Sequence, residues 1–285
     1  MSDRELAFTK MHGAGNDFVV LDGIRDALPA LEPLAQRLLD RHFGIGGDQL
    51  LVARPSATAD FRMDIYNPDG SRAEMCANGI RAFHLWLRSR GHTRADEIAV
   101  ETLAGIVRPR SAGPGLVTVD MGRPVLAPEK IPTRLGAGTD GPVLDARLDI
   151  EGETLRVSAV SMGNPHCIIP VDDVDAAPVE RLGPRIERHP AFPNRVNVEF
   201  VQHMTRSRVR QRTWERGTGE TLACGSGACA VAVASILRGA TERTLDVELR
   251  GGTLRIAWPA EDASVLMTGP ATEVFAGRIP LDEEA

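Results

Sequence analysis

The chain of 285 residues is 42% hydrophobic and 25% charged, with a formal net charge of −6, which is typical of a globular protein with one large domain or two ordinary ones. Nucleic acids and anionic membranes need a concentrated basic surface, so we expect neither as a partner. Residues 1–10 lack a signal pattern and no apolar run approaches the ~18 residues that span a bilayer. The sequence therefore predicts a cytoplasmic protein whose four cysteines are thiols.

Two strongly apolar segments predict helices over 79–89 and 227–237, each followed by a glycine that ends it. The second segment is apolar almost all round, which indicates a helix enclosed by strands. The Pro- and Gly-rich segment 123–154 holds the linker, and its latter part is available to the second half as strands. Runs rich in β-branched and aromatic residues predict strands, in chain order, over 18–21, 61–66, 98–101, 116–119, 157–160, 168–171, 196–201, 247–249 and 265–267.

A long internal repeat relates the two parts of the chain. Cys76 and Cys224 lie 148 residues apart, and the same shift places Asn16 on Asn164 and Gln49 on Asn197. A chance alignment would not keep one register so far, and the period is far too long for a solenoid. The sequence predicts an α/β (α+β) fold of two homologous, pseudo-twofold-related domains, each a strongly curved, mostly antiparallel sheet around a central apolar helix. The domains are residues 1–122, to which 270–285 return, and residues 123–269.

Both repeated cysteines stand directly before a predicted helix and are followed by small residues. A helix start offers unpaired N–H groups and partial positive charge, which lowers the pKa of a thiol and binds a carboxylate. If the halves pack about a pseudo-twofold axis, the two thiols face one another. One thiolate could then remove the α-proton of an amino acid while the opposite thiol returns a proton to the other face. The helix starts would stabilise the carbanion, so no cofactor is required.

Taken singly, either cysteine is better explained as inert core; their matching positions in the repeat favour chemistry. The chain also resembles the diaminopimelate epimerase family over about residues 8–277. The motifs that carry the resemblance are Met11-His12-Gly13-Ala14-Gly15-Asn16-Asp17-Phe18, Asn67-Pro68-Asp69-Gly70-Ser71, Cys76-Ala77-Asn78-Gly79, Met162-Gly163-Asn164-Pro165-His166, Trp214-Glu215-Arg216-Gly217-Thr218-Gly219-Glu220-Thr221 and Cys224-Gly225-Ser226-Gly227.

This resemblance implies interconversion of LL- and meso-diaminopimelate on the way to lysine and peptidoglycan, without metal or pyridoxal phosphate, by a homodimer with Phe275 at its contact. It implies that Cys76 and Cys224 are the base and acid and that His166 and Glu215 assist them. Many members have glycine where this chain has Ala77. A substrate contact through the backbone N–H of this residue would tolerate the added methyl group. Arg216 suits the distal carboxylate, and Glu215 and the asparagines suit ammonium groups. The implied substrate-binding residues are Asn16, Gln49, Asn67, Ala77, Asn78, Asn164, Asn197, Glu215, Arg216, Gly225 and Ser226.

Several alternatives remain open. The glycines at 44–47 and 217–219 do not fit a nucleotide-binding fingerprint and are interpreted as turns. A zinc site from Cys224, Cys229 and His166 lacks the usual spacing, so Cys229, like Cys167, is interpreted as core. Other histidines are expected to be structural or exposed, and Asp17 to orient a loop. A racemase of the same fold acting on another amino acid, such as histidine, would be separated by a substrate panel. A non-catalytic amino-acid-binding protein or redox sensor would bind ligand without solvent exchange, and oxidation could join Cys76 to Cys224.

Overall fold

The computed structural model of the chain describes residues 5–136 and 141–281. These residues fall into two compact units: one runs up to Val119 and resumes at Gly269, and the other comprises Asp120–Thr268. The boundaries expected from the sequence, after residues 122 and 269, lie three residues and one residue later. The terminal segment 282–284, expected to be a solvated end, lies outside the described residues. Among the described residues, no helix is long and apolar enough to cross a membrane.

The first unit is built on a seven-stranded sheet in the order β18-β1-β2-β3-β4-β5-β6. The pairs β2–β3 and β4–β5 are parallel and the others are antiparallel, while β7 and β8 form an antiparallel pair. The elements are β1 (Glu5–Gly13), β2 (Asn16–Asp22), α1 (Leu31–Leu39), β3 (Gln49–Arg54), β4 (Phe61–Tyr66), α2 (Ala77–Ser89), β5 (Val100–Thr102), β6 (Gly105–Val107), β7 (Arg110–Ser111), β8 (Leu116–Asp120) and β18 (Thr272–Pro280).

The second unit carries its strands in the order β17-β16-β15-β13-β12-β11-β10-β9, with β14 beside β13. The pairs β11–β12 and β13–β15 are parallel. After a 3-10 turn, Pro128–Lys130, the elements are β9 (Val143–Ile150), β10 (Glu153–Ser161), β11 (Pro165–Pro170), α3 (Val179–Glu187), β12 (Asn197–Thr205), β13 (Arg208–Glu215), β14 (Gly219–Thr221), α4 (Gly225–Leu237), β15 (Thr244–Leu249), β16 (Gly252–Ala257) and β17 (Leu266–Pro270).

The two units repeat one another element by element. The succession antiparallel, parallel, antiparallel, parallel, antiparallel from β1 to β6 recurs in the path β10-β11-β12-β13-β15-β16. Both pairs of helices, α1 with α3 and α2 with α4, begin and end 148 residues apart, which is the shift read from the cysteines. The α+β class with two sheet-rich halves is thus confirmed.

A helix packs against the sheet of each unit. α2 lies on β1, β2, β3 and β18, and α4 on β10, β11, β12, β15 and β16. Every residue of α4 from Gly227 to Ser235 is buried, as expected for a helix that is apolar on all sides. Each helix ends two residues before a glycine with positive φ, +72° at Gly91 and +69° at Gly239, a conformation that costs other residues more.

Two further helices, α1 and α3, have no counterpart among the predicted elements. In α1 the buried residues Leu31, Leu34, Ala35, Leu38 and Leu39 follow helical spacing, but Pro33 interrupts the apolar pattern. In α3, Gly183 and Pro184 stand inside the helix. Gly183 is required by packing, because a side chain there would overlap the indole ring of Trp214. Long-range packing, and not helix propensity, therefore stabilises α3.

Candidate active site

Cys76 is the N-cap residue of α2. Its Sγ accepts a hydrogen bond from the backbone N–H of Gly79 at 3.3 Å, and its carbonyl accepts one from Ile80 at 2.8 Å. A Cβ at position 79 would come within 3.4 Å of this sulfur and 3.3 Å of Leu51 Cδ2. The cap thus places a partly buried sulfur at the positive end of the helix.

Three predicted site residues of the first unit lie in one hydrogen-bonded group. The Cys76 thiol donates to Asn16 Oδ1 at 3.6 Å, and Asn78 Nδ2 donates to the same oxygen at 3.3 Å. Asn16 Nδ2 in turn donates to Asp48 Oδ2 at 2.7 Å. One amide oxygen therefore connects the thiol with the first turn of α2.

A second polar pair of this unit lies at the adjacent ends of β3 and β4. Gln49 Nε2 donates to Asn67 Oδ1 at 3.1 Å, and Asn67 Nδ2 donates to Ser71 Oγ at 3.1 Å. Among the residues that the structure describes, the buried Gln49 Oε1 has no hydrogen-bond partner. Since a buried acceptor without a partner is costly, this oxygen is suited to accept from a ligand ammonium or N–H group.

Under the start of α2 lies Arg81, a fully buried cation that the sequence had not singled out. Its guanidinium donates to Asn78 Oδ1 at 2.8 Å and to the carbonyls of Ala77 at 3.2 Å and Pro270 at 3.4 Å. Arg81 therefore orients Asn78 and adds positive charge beneath the first turn.

Cys224 is the N-cap residue of α4 and is 4% exposed. Its Sγ accepts from the N–H of Gly227 at 3.4 Å and lies 3.6 Å from Ser226 Oγ. The helix start was expected to lower the pKa of this thiol. Instead, burial and the charges of Glu215 and Glu199 raise the pKa of Cys224 well above its ordinary value, against the lowering effect of Ser226 and Gly227. Desolvation and two carboxylates thus outweigh the helix start, and Cys224 is a neutral thiol at pH 7.

Glu215 is the last residue of β13 and Arg216 follows it, but the two side chains have different surroundings. Burial raises the pKa of Glu215, with a smaller contribution from the charge of Glu199, and its Oε1 accepts from Thr221 Oγ1 at 2.6 Å. Arg216 is exposed; its backbone N–H donates to Asn197 Oδ1 at 2.9 Å and its Nη1 to the carbonyl of Asn194 at 3.1 Å. Among the described residues Arg216 forms no ion pair, so its guanidinium can bind a carboxylate.

His166 and Asn164 lie in a buried polar group with Glu199. His166 Nδ1 is 2.8 Å from Glu199 Oε1, and Nε2 is 3.1 Å from Asn164 Oδ1. A metal ion could in principle be bound here, because one nitrogen, oxygen or sulfur atom from each of His166, Glu199 and Cys224 lies within 4.8 Å of the other two. Cys229, which the zinc alternative required, lies inside α4, and hydrogen bonds already engage the His166 and Glu199 atoms.

The remaining predicted residues have simpler surroundings. Cys167 and Cys229 are fully buried and belong to the core, and Ala77 and Gly225 are the first residues of α2 and α4. Asp17 binds Lys10, Arg41 and the backbone N–H of Asp48, and so orients a loop. His84 and His92 form internal hydrogen bonds with Ser111 and Asp22, His12 accepts from the N–H of Gly15, and His42 is exposed.

Glu199 is the main residue of this site that the sequence reasoning did not find. A signal existed: it lies two residues after Asn197 in a strand, hence on the same face, and it is the single charge in an apolar run. Thr221, which binds Glu215, gave no signal beyond its closeness to Cys224.

Comparison with known proteins places the chain among its relatives. A family model described as diaminopimelate epimerase matches residues 8–127 and 158–274. The diaminopimelate epimerase of Moorella thermoacetica is 51% identical over 280 residues, covering 96% of this chain and 99% of that protein. The diaminopimelate epimerase of Aromatoleum aromaticum is 52% identical over 279 residues, covering 97% of this chain and 99% of that protein.

Solved structures resemble the chain at lower sequence identity. A phenazine biosynthesis protein of the PhzF family from Bacillus anthracis has a TM-score of 0.72 at 18% identity and covers 98% of this chain and 100% of its own. A hydroxyproline epimerase from Agrobacterium vitis has a TM-score of 0.68 at 17% identity, covering 99% and 93%. At such identities these likenesses establish the fold alone, and they agree with the two-unit α+β architecture.

Proposed function

The chain belongs to the diaminopimelate epimerase family, and from this premise we propose that it interconverts LL- and meso-diaminopimelate with Cys76 and Cys224 as its two acid–base groups. The observation that carries the proposal is the equivalence of the two cysteines. Each caps the helix that packs on the sheet of its unit, and each sulfur accepts the N–H of the third following residue, at 3.3 Å and 3.4 Å. Inert core cysteines have no reason to share this arrangement.

The reaction exchanges one proton for another at the α-carbon. One cysteine acts as a thiolate and takes the α-proton, so that the C–H electron pair stays on the carbon and spreads into the carboxylate. The other cysteine gives its S–H proton to the opposite face and becomes the thiolate. Atoms and charge balance, and the enzyme ends with its two sulfurs in exchanged protonation states. Because burial and the charges of Glu215 and Glu199 raise the pKa of Cys224, we assign it the acid role in the first turnover and Cys76 the base role.

The carbanion is stabilised by fixed dipoles and needs no cofactor in this proposal. The first-turn N–H groups of α2 and α4, with Ala77, Asn78, Gly225 and Ser226, are assigned to the reacting carboxylate. Asn16 is assigned to the reacting end on account of its contact with Cys76. His166 and Glu215 are assigned to assist Cys224, because a ring nitrogen of His166 lies within 4.8 Å of its sulfur and the charge of Glu215 raises the pKa of this thiol.

The distal end of the substrate carries a second ammonium and a second carboxylate. Arg216 is assigned to that carboxylate, and Gln49, Asn67, Asn164, Asn197 and Glu215 to hydrogen bonds with the substrate. The free acceptor of Gln49 supports this assignment. A smaller amino acid would offer no second carboxylate to Arg216, which favours a long diamino diacid over a short one. The product would serve lysine and peptidoglycan synthesis, and we assign the active form as a homodimer.

Isotope exchange tests the proposal directly. The protein is incubated with LL-diaminopimelate in deuterated water, and we expect meso product that carries deuterium at the inverted α-carbon. A panel with proline, hydroxyproline and histidine should give no exchange. Absence of both exchange and meso product would refute the proposal, and faster turnover of a panel amino acid would replace its substrate.

A further inference from the structure

Four buried positions beneath the start of α4 carry polar side chains, although the equivalent positions of the other unit are apolar. In the second unit they are His166, Glu199, Gln211 and Thr213, which we call the polar quartet. All four are at most 2% exposed. The shift of 148 residues places them on Phe18, Leu51, Met63 and Ile65, which are equally buried.

The backbone pairing confirms that these positions correspond. In the second unit His166 pairs with Asn197 and Glu199 with Thr213, while in the first unit Phe18 pairs with Gln49 and Leu51 with Ile65. The shared fold can therefore fill this space with hydrocarbon. Burying a charge and three polar groups instead is costly, and among the described residues Gln211 Oε1 has no hydrogen-bond partner. The quartet therefore indicates a function and not a packing need.

Glu199 is the centre of the quartet. Its Oε1 lies 2.8 Å from His166 Nδ1, and its Oε2 accepts from Gln211 Nε2 at 2.6 Å and from Thr213 Oγ1 at 2.5 Å. Gln211 Nε2 also lies 2.8 Å from Thr213 Oγ1. A carboxylate can only accept hydrogen bonds, and each of these three contacts reaches it from a group that is able to donate. The proton between Glu199 and His166 therefore resides on Nδ1.

The other side of the carboxylate lies against α4. A side chain at Gly227 would overlap the Glu199 carboxylate, whereas at the equivalent Gly79 it would meet Leu51 and Cys76. Gly227 also donates its N–H to Cys224 Sγ. Glu199 is thus fixed between the first turn of the cysteine-capped helix and the ring of His166.

We propose that Glu199 is a positioning residue for the acid half of the site, holding the imidazole of His166 beside Cys224 in the form protonated at Nδ1. The inference rests on the proposed function, in which His166 assists Cys224. The other ring nitrogen of His166, Nε2, faces the side-chain amide of Asn164. Whichever way that amide is turned, the hydrogen bond with Glu199 requires a proton on Nδ1 of His166.

The isosteric variant E199Q tests this role. In E199Q the amide oxygen is needed by Gln211 and Thr213, so the amide nitrogen turns to His166 and donates to Nδ1. We expect the ring to change to the Nε2-protonated tautomer and kcat to fall about 10- to 100-fold with little change in KM, as for other residues that orient a reacting group through an intermediary.

Long-range ¹H–¹⁵N correlation of the histidine rings reads the tautomer, with the H166Q spectrum to assign the signal among the seven histidines. The matched control is D22N. Asp22 Oδ2 lies 2.8 Å from His92 Nε2 in the first unit, so D22N changes a similar histidine–carboxylate pair. We expect D22N to alter the His92 signal and leave kcat unchanged.

The outcomes separate this inference from the proposed function. A wild-type His166 protonated only at Nε2, or an E199Q enzyme with full kcat, overturns the positioning role while leaving the epimerase assignment intact. A wild-type protein that is inactive on diaminopimelate, yet changes tautomer in E199Q, overturns the proposed function and leaves the Glu199–His166 pairing established. If E199Q does not fold, E199D, which draws the carboxylate back from Nδ1, is expected to show the same loss of kcat.

Discussion

The starts of α2 and α4 have the same backbone and opposite electrostatics. Beneath Cys76 lie a buried guanidinium, Arg81, and apolar side chains. Beneath Cys224 lie Glu215 and Glu199, whose charges add to burial in raising the pKa of that thiol. The duplicated fold thus supplies two equivalent caps, while the side chains under each cap give the two sulfurs different electrostatic surroundings.

The largest expected effect comes from removing either sulfur. C76A and C224A should each lower kcat for epimerisation at least about 10³-fold, since each removes a group that must transfer a proton. The matched control is C229A, on α4 but within the core, which should retain near wild-type kcat. The rates come from a meso-diaminopimelate assay together with α-deuterium exchange. A C76A enzyme with more than a tenth of wild-type activity would contradict the equivalence of the two caps.

A glutamate placed at Leu51, the position equivalent to Glu199, tests why only the second unit has a carboxylate under its cysteine-capped helix. L51E would place a charge among the apolar side chains of Phe18, Met63 and Ile65, which cannot donate hydrogen bonds to it. We expect the free energy of unfolding to fall by about 3 kcal/mol or more. L51M, which keeps the volume, should cost less than about 1.5 kcal/mol. Urea denaturation measures both. Equal stability of L51E and L51M would mean that water or an unforeseen donor reaches this space.

The outer strands of the two sheets also differ, and the difference bears on assembly. On β18, Val274 and Phe275 are 54% and 48% exposed, whereas the exposed side chains of β9 include Arg147 and Asp149. If β18 forms the homodimer contact, F275E should shift the protein to monomer at micromolar concentration. Phe43, 91% exposed elsewhere in the same unit, supplies the control F43E. Light scattering after gel filtration measures the mass, and an unchanged dimer in F275E would exclude this contact.

The smallest expected effect concerns how the stability of the fold depends on pH, and it arises from a histidine that is present on α2 but not on α4. Burial lowers the pKa of His84 on α2 to about 4, while the equivalent position on α4 is Ala232. Because the unfolded chain binds a proton below about pH 6.5 and the folded one does not, His84 removes stability as the pH falls from 6.5 towards 4. The resulting loss at pH 5 is on the order of 1 kcal/mol. Thermal melts at pH 5 and 7.5 should show a smaller decrease for H84A than for the wild type, and equal decreases would contradict the assignment.

Part of the architecture was readable in the sequence because it depends on local or repeated signals. The start of each cysteine-capped helix lies two residues before its predicted position, at Ala77 and Gly225. The shift of 148 residues extends to α1 and α3, although neither was predicted. The predicted family and the isomerase class are confirmed by the family match and by relatives about 50% identical over almost the whole chain.

The sequence by itself determined the duplication, the two capping cysteines and the family, since periodicity, small residues after a cap and motif order are properties of the linear chain. Only the tertiary structure decided the charge around each sulfur. Arg81 and Asn78 belong to the same helix. The hydrogen-bond partners of Glu199, in contrast, are His166, Gln211 and Thr213 on neighbouring strands. A helix start alone predicted a lowered pKa at Cys224. Burial and two carboxylates, brought close by the fold, reverse that prediction.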